Sequence, residues 1–381
     1  MSKNPVHSPY MYKAREKRFV RFGVADIRIK NFEKGATFEM PDLGTVQNEQ
    51  SQRLEVKLRR ELGDAILSLL DDDAVEDIVL NPDATLWVKQ MGSGFTRVGQ
   101  MSGGQAVCAM NTIASMRSMV LNYERPVLET ELPLDGSRFE GLIPPVVRHP
   151  VFAIRRRPRR IFTLDQYCQA GILTGKTDPM NRLRRRENFA DQLTGLSHAG
   201  VIRAAIAAKK NILTAGSTGS GKTTFTNAIL EGIATISPHD RVISIEDTTE
   251  LQCSVANYVD LRAVGNVTML DCLRACMRLK PSRIVVGEVR GAEAHTMLKA
   301  WNTGHPGGAA TVHANDALSG LIRLESLVAE ATSAPQQQLI AEAVDLVVFI
   351  DEEASLPAGR KVREVALVNG YRDGRYQLEY V

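Results

Sequence analysis

The stretch "KNILTAGSTGSGKTTFTNAIL" (residues 210–230) decides the fold. It consists of an apolar strand, a glycine-rich turn and an amphipathic helix in succession. Within it, Gly216 to Thr223 match the pattern G-x-x-x-x-G-K-[ST] in full. A glycine-rich segment is often only a turn, but a complete pattern between strand and helix favours a phosphate-binding loop in an α/β fold.

This loop predicts a binding site for a nucleoside triphosphate. Glycines let backbone N–H groups curl around a phosphate, and the helix N-terminus adds its positive dipole end. Lys222 is expected to reach the β- and γ-phosphates, and the Thr223 hydroxyl to ligate Mg²⁺. The cofactors predicted are therefore ATP and Mg²⁺. The candidate binding residues are Gly216, Ser217, Thr218, Gly219, Ser220, Gly221, Lys222, Thr223 and Thr224.

Two later segments predict strands that end in acidic residues. "RVISIEDTTEL" (241–251) places Glu246 and Asp247 at a strand end, and "SRIVVGEVRG" (282–291) places Glu288 at another. Ligands of parallel α/β sheets lie at the carboxyl ends of the strands, so both glutamates are expected to face the Lys222 loop. Solvated carboxylates are the common alternative, but two of them after a phosphate loop favour handling of Mg²⁺ and the attacking water.

Composition narrows the classes of function. The chain has 381 residues, a net charge of +3 and 44% hydrophobic residues, which is typical of a globular protein of two or three domains. The weak charge argues against nucleic-acid binding as the main activity. No apolar run approaches a membrane span, and "DLVVFI" (345–350) predicts a buried strand. Five scattered cysteines and the lack of a signal peptide predict a cytoplasmic protein. Cys272 and Cys276 are expected to pack in the core rather than to bind metal.

The chain is expected to have four parts. Residues 1–51 predict a partly disordered extension whose basic run "KAREKRF" (13–19) either touches anionic lipid or, as we favour, is a solvated tail. Residues 52–158 predict a small α+β domain, with a helix over "RLEVKLRRELGDAILSLL" (53–70) and strands near 75–82, 84–90, 137–146 and 151–157. Residues 159–196, including "RLRRRE" (182–187), predict a linker, and 197–381 the α/β domain.

Four motifs in this order resemble those of the secretion ATPase superfamily, whose members drive type IV secretion, type II secretion and type IV pili. Gly216–Thr223, "IEDTTEL", "VVGEVRG" and "TGHPGGAATVHAN" (303–315) look like its Walker A, Asp, Walker B and His boxes. The resemblance covers roughly residues 52–381. It is strongest to the conjugative-transfer type IV secretion ATPases, the TrbB-like branch, because the CxxC zinc insertion of many type II relatives is absent.

The resemblance implies a RecA-like C-terminal domain and further site residues. His305 and His313 would lie near the γ-phosphate and sense it, with Gly307 and Gly308 allowing the loop to move; a structural role is nearly as well supported for His305. Arg138 in "DGSRFEG" and Arg155 in "FAIRRRP" would close over the phosphates from the N-terminal domain. Strand alternation places Arg155 and Arg157 on one face and Arg156 on the other.

The function predicted is a cytoplasmic ATPase that powers type IV secretion in conjugative DNA transfer. Either Glu246 or Glu288 would be the general base, with Glu246 favoured and Glu288 organising Mg²⁺ and water. The resemblance implies a homohexameric ring, associated peripherally with inner-membrane secretion components on their cytoplasmic face. The alternatives are a type IV pilus or type II secretion motor and a nucleic-acid translocase. The low aromatic content, 6%, argues against the translocase, and no sequence-specific nucleic-acid binding is expected.

Overall fold

The computed structural model describes residues 21–22, 25–26, 43–158, 162–173 and 189–381. The chain divides into two compact units, Met1–Val56 and Lys57–Val381. The basic runs at 13–19 and 182–187 lie outside the described residues. The helices, numbered in chain order, are α1 Leu43–Asp71, α2 Gly103–Met116, α3 Leu164–Gln169, α4 His198–Ala207, α5 Lys222–Ile236, α6 Met269–Arg278, α7 Glu293–Asn302, α8 Ala317–Ala329 and α9 Gln337–Ala343.

The strands form one hairpin and two larger sheets. They are β1 Arg21–Phe22, β2 Ala25–Asp26, β3 Val75–Leu80, β4 Thr85–Gln90, β5 Phe95–Gln100, β6 Val127–Glu131, β7 Arg138–Leu142, β8 Val151–Arg155, β9 Ile212–Gly216, β10 Val242–Glu246, β11 Tyr258–Arg262, β12 Arg283–Val286, β13 Ala309–His313, β14 Leu346–Glu352, β15 Arg360–Arg372 and β16 Arg375–Tyr380.

The first large sheet is antiparallel, in the order β5-β4-β3-β8-β7-β6. Helices α1 and α2 contribute to its core, where Leu58, Leu62, Ile66 and Leu70 of α1 are buried at helical spacing. The predicted helix and four strands of this region are confirmed. Helix α1 begins at Leu43, so residues 43–51 of the predicted extension are helical, and the helix is interrupted at Gly63, where φ is 77°.

The second large sheet carries the phosphate loop, in the order β11-β10-β12-β13-β9-β14-β15-β16. The first six strands are parallel, as expected, and their buried apolar residues lie between helices of the same region. Strands β15 and β16 extend the sheet in antiparallel order, which the sequence reading did not anticipate. The mixed α/β class is therefore confirmed, with an antiparallel edge.

A buried polar cluster joins the two sheets. Arg241 of the second region is fully buried, and its Nη1 donates to Asn81 Oδ1 and to Asn257 Oδ1, both at 2.5 Å. Its Nε donates to Leu279 O at 2.8 Å. A buried guanidinium is expensive to desolvate, so these acceptors are needed to hold it at this position.

The described parts of the predicted linker, residues 162–173 and 189–196, are partly helical and partly packed. They include helix α3, and Phe189 and Leu193 near the end of the linker are buried in the core of the second region. Cys272 and Cys276 are buried in the core, as predicted, and burial raises the pKa of the Cys272 thiol to about 12. Among the described residues, no helix combines the length and apolarity that crossing a membrane requires.

Candidate nucleotide-binding site

The phosphate loop connects the buried strand β9 to helix α5. Gly219 and Gly221 adopt left-handed φ angles of 81° and 96°, a conformation that favours glycine. A Cβ atom on Gly216 would lie 2.5 Å from the Ile350 carbonyl oxygen and also against Ser220 Oγ. The loop therefore requires glycine at each of these positions, in agreement with the sequence pattern.

Lys222 is folded back over this loop. Its Nζ donates to the carbonyl oxygens of Gly216, at 3.0 Å, and Ser217, at 2.8 Å. Burial is the main effect that lowers the pKa of Lys222. The negative charge of Glu288 raises this pKa, and the positive charge of Arg290 lowers it further. Lys222 is thus a partly desolvated cation beside the phosphate loop, where its charge can pair with a phosphate.

His313 links Lys222 to Glu288. Strand β13 is the parallel neighbour of β9, and His313 is the register partner of Gly216. Its Nδ1 lies 3.3 Å from Lys222 Nζ, and its Nε2 lies 2.7 Å from Glu288 Oε1. Because an ammonium group can only donate, Nδ1 is the acceptor and the imidazole proton is assigned to Nε2. The structure therefore brings together three of the predicted site residues.

Glu288 also forms an ion pair with Arg290 through its second carboxylate oxygen, Oε2. Arg290 Nη2 and Nε donate to Glu288 Oε2 at 2.6 and 2.9 Å, and Arg290 Nη1 donates to Asp247 Oδ2. Glu288 Oε1 is buried and accepts no well-directed hydrogen bond from the described residues, although His313 lies close to it. This carboxylate oxygen is therefore enclosed beside the imidazole of His313.

Glu246 lies at the end of β10 in a different environment. It is buried, and its Oε1 accepts hydrogen bonds from the backbone N–H groups of Glu250 and Leu251, both at 2.9 Å. Burial raises its pKa, while these two hydrogen bonds act in the opposite direction. A Cβ on Gly287 would lie 3.0 Å from Glu246 Cγ, so glycine at this position leaves space for the glutamate. No hydrogen bond between the described residues joins Glu246 to Lys222.

The two threonines at the start of α5 differ in their contacts. The Thr223 hydroxyl is half-buried and has no hydrogen-bond partner among the described residues. The Thr224 hydroxyl accepts from Nη1 of Arg360 at 3.4 Å. Arg360 was missed at the sequence level because it begins a strand far along the chain, with no motif around it.

His305 makes different contacts from His313. Its Nδ1 lies 3.0 Å from the Pro281 carbonyl oxygen, and burial lowers its pKa. Gly307 and Gly308 both donate through their backbone N–H groups to Asn211 Oδ1, at 2.8 and 3.0 Å. A Cβ on Gly308 would lie 2.4 Å from the Ile284 carbonyl oxygen. These glycines allow close packing in this conformation, and the movement expected of the loop stays a prediction.

The arginines of the first sheet lie as strand alternation predicts. Arg138 and Arg155 are cross-strand partners and both are exposed. Arg156 lies on the other face, buried, where it donates to the carbonyl oxygens of Asp72 and Val75. Within the described residues neither Arg138 nor Arg155 hydrogen-bonds to the phosphate loop. Arg157 is exposed and lies near Gly136.

The complete loop at the carboxyl edge of a parallel sheet, with Lys222, His313 and Glu288 converging on it, defines a P-loop ATPase. The family model described as type II/IV secretion system protein matches residues 190–355. The conjugal transfer protein TrbB of Rhizobium radiobacter is 44% identical over 328 residues, covering 86% of this chain and 94% of the relative. The chain belongs to this TrbB family of conjugal transfer and type IV secretion ATPases.

Further relatives extend the similarity. The probable conjugal transfer protein TrbB of Sinorhizobium fredii is 43% identical over 86% of this chain and 93% of its own. Among solved structures, the VirB11 ATPase of the Brucella suis type IV secretion system, in complex with sulphate, has a TM-score of 0.72 at 25% identity. The match covers 82% of this chain and 97% of that one.

Proposed function

We propose that this ATPase powers a type IV secretion system for conjugal DNA transfer by hydrolysing ATP at the loop of residues 216–224. The observation that carries the proposal is the contact of His313 with both Lys222 and Glu288 at that loop. The similarity to TrbB proteins over most of both chains supports conjugation over a pilus or type II secretion motor. The sulphate in the VirB11 relative supports anion binding in this fold.

The loop fits a polyphosphate. The left-handed turns at Gly219 and Gly221 curl the backbone of the loop, and Lys222 is already partly desolvated beside it. Lys222 would exchange one of its present acceptors for an oxygen of the β- or γ-phosphate. His313 would then respond to the γ-phosphate, because the imidazole loses or keeps its hydrogen bond according to whether that phosphate is present.

The donor set also fits Mg²⁺. The Thr223 hydroxyl, which has no hydrogen-bond partner among the described residues, and the Glu288 carboxylate supply hard oxygen ligands, and Mg²⁺ would neutralise charge on the phosphate oxygens. We assign Glu288 to holding Mg²⁺ and orienting water, and Glu246 to accepting the proton of the water. The raised pKa of Glu246 supports that assignment, because a more basic carboxylate is the better proton acceptor.

Arg138 and Arg155 would complete the site from the first sheet. Both are exposed, and the described residues offer neither of them a hydrogen bond or a carboxylate in ion-pair contact. A guanidinium stays charged and binds phosphate oxygens bidentately, so movement of the first sheet toward the loop would stabilise the transferring phosphoryl group. This closure would couple hydrolysis to mechanical work.

We further propose a RecA-like C-terminal domain over residues 197–381, an N-terminal domain over 52–158 and a linker over 159–196. The chains would assemble into a homohexameric ring in the cytoplasm, held against the inner-membrane components of the secretion machine. The similarity to the VirB11 structure over 97% of that chain supports the domain assignment.

The test uses Lys222→Ala in the full-length chain. The substitution removes the only charge inside the loop, so ATP hydrolysis and conjugal transfer should both fall to background. Arg203→Ala, which changes a basic residue of α4 away from the loop, is the matched control and should retain both activities. A wild-type rate of hydrolysis in Lys222→Ala, with the chain folded by circular dichroism, would refute the proposal.

A further inference from the structure

Arg360 lies directly on the phosphate loop. It is the first residue of β15, and its Cδ lies 2.8 Å from the position that a Cβ on Gly221 would occupy. Its Nη1 lies closer still to that position, and donates to Thr224 Oγ1 at 3.4 Å. A guanidinium can approach the backbone so closely only because residue 221 has no side chain.

This guanidinium has no anionic partner among the described residues. Its other hydrogen bond, from Nε, goes to the carbonyl oxygen of Ala358 at 3.3 Å. Glu352 is its register partner on β14, but no ion pair joins the two. By contrast, Arg363 on the same strand pairs with Glu353 at 3.0 Å. A half-buried arginine beside a helix N-terminus, with most of its donors free, is suited to an anionic ligand.

The contacts of Arg360 place it at a different part of the loop from the hydrolytic cluster. The charges that act on Lys222 are those of Glu288 and Arg290, at the end where His313 also lies. Arg360 instead contacts Gly221 and Thr224, at the start of α5. In a P-loop the lysine reaches the β- and γ-phosphates, while the loop and the helix start cradle the α- and β-phosphates.

We propose that Arg360 is a nucleotide-binding residue whose guanidinium contacts the α-phosphate. The inference rests on nucleotide binding at residues 216–224, as proposed above. The α-phosphate is present before and after hydrolysis, so Arg360 contributes equally to the affinity for ATP and for ADP. The β14–β15 hairpin thereby holds the nucleotide throughout the cycle, whereas Lys222 and His313 distinguish its triphosphate from its diphosphate form.

The same hairpin also brings a negative charge to the loop. Glu352 Oε1 lies 3.5 Å from the position that a Cβ on Gly219 of the phosphate loop would occupy. A carboxylate at this position opposes an anionic ligand. Neutralising it should therefore leave nucleotide affinity unchanged or raise it, the opposite direction from the loss of Arg360.

The experiment measures the dissociation constants of ADP and of a non-hydrolysable ATP analogue by calorimetry on full-length chains. Arg360→Ala should weaken both nucleotides by the same factor, about tenfold or more, the loss expected for a hydrogen bond to a charged group. Arg360→Lys should recover part of the affinity because it restores the charge without the planar fork. Arg363→Ala and Glu352→Gln are the controls, and neither should weaken binding.

Three outcomes would decide against the inference or its basis. Wild-type affinity of Arg360→Ala for both nucleotides would overturn it. Loss of affinity for the ATP analogue alone would place Arg360 at the γ-phosphate and overturn the α-phosphate assignment. If the wild-type chain binds neither nucleotide, the proposed function fails instead. Thermal melts of Arg360→Ala and Arg360→Gln check that the fold persists.

Discussion

His313 accepts a hydrogen bond from Lys222 in this structure, with Nδ1 and Nζ 3.3 Å apart. The other two donors of the ammonium group go to the carbonyl oxygens of Gly216 and Ser217 at shorter distances. All three donors of Lys222 are therefore occupied, and the longest of the three bonds is the one to His313. A phosphate oxygen that enters the loop would displace His313 first.

His313→Ala should therefore separate binding from turnover. Nucleotide affinity should be unchanged or tighter, because Lys222 no longer has a competing acceptor. Turnover should fall at least about tenfold, because Glu288 loses the imidazole that lies beside its Oε1. Steady-state kinetics with ATP give both quantities. His305→Ala is the matched control, since that imidazole contacts Pro281, and it should leave turnover unchanged. Unchanged turnover in His313→Ala would mean that the residue is only structural.

Glu288→Gln should produce a chain that binds ATP but hydrolyses it slowly. Glutamine keeps the size of the side chain and removes the negative charge needed by metal and water, so turnover should drop by about 10²–10⁴-fold. Affinity should persist because it rests mainly on residues 216–223. In a ring of coupled subunits, co-expression with wild type should depress conjugation frequency below the fraction of wild-type chains. A strictly proportional decline, at matched chain levels, would indicate independent subunits.

Arg138→Ala should lower turnover without changing stability. Arg138 is exposed and has no hydrogen-bond partner among the described residues, and surface substitutions of this kind change the free energy of unfolding by less than about 0.5 kcal/mol. Arg156→Ala is the contrasting variant. It removes the buried hydrogen bond to the carbonyl oxygen of Val75 and a partly buried one to that of Asp72, which costs about 1–3 kcal/mol. Unaltered turnover in Arg138→Ala would leave the first sheet a role in assembly alone.

Glu140 should make stability fall as the pH rises from the unfolded pKa of 4.5 toward about 9. Burial, and then the charge of Glu129, raise its pKa to about 9, against the opposing effect of Arg278. A carboxyl with a raised pKa in the folded state keeps its proton there while the unfolded chain loses it. Stability is therefore full below the unfolded value of 4.5 and declines from there toward pH 9.

The measurement compares melting temperatures of wild type and Glu140→Gln from about pH 6 to about pH 9, where the linkage predicts a changing difference. The glutamine side chain has no proton to lose, so the melting temperature of Glu140→Gln should rise relative to that of the wild type as the pH rises. Glu131→Gln, an exposed residue of β6, is the control and should follow the wild-type curve. Parallel curves for wild type and Glu140→Gln would mean that Glu140 is already ionised in the folded chain.

The sequence predicts those parts of the site that lie within continuous motifs. The loop at Gly216–Thr223 and the strand ends at Glu246 and Glu288 were predicted because glycine spacing and apolar runs are local signals. The contact of His313 with Lys222 needed the family resemblance, since it depends on which strand lies beside β9. Alternation along β7 indicates that Arg138 and Glu140 share a face, but not that Glu140 is buried while Arg138 is exposed.

Arg360 and the buried Arg241 could not have been predicted in this way. Each is a single arginine whose surroundings come from distant segments: Gly221 and Thr224 for the first, Asn81 and Asn257 for the second. Nothing in the neighbouring residues marks either one, and an isolated arginine is usually solvated. Only the pairing of strands and helices reveals that one contacts the phosphate loop and the other is enclosed.

The register pairing of His313 with Gly216 constrains the number of residues in strand β13. Side chains alternate between the two faces of a strand, so deleting one residue from 309–312 would turn His313 away from Lys222. Deleting two would restore the face but displace the imidazole by about 6.6 Å along the strand. Either change would abolish the contact while every functional residue is still encoded. The number of residues between Gly308 and His313 is therefore as much a requirement of the site as the histidine itself.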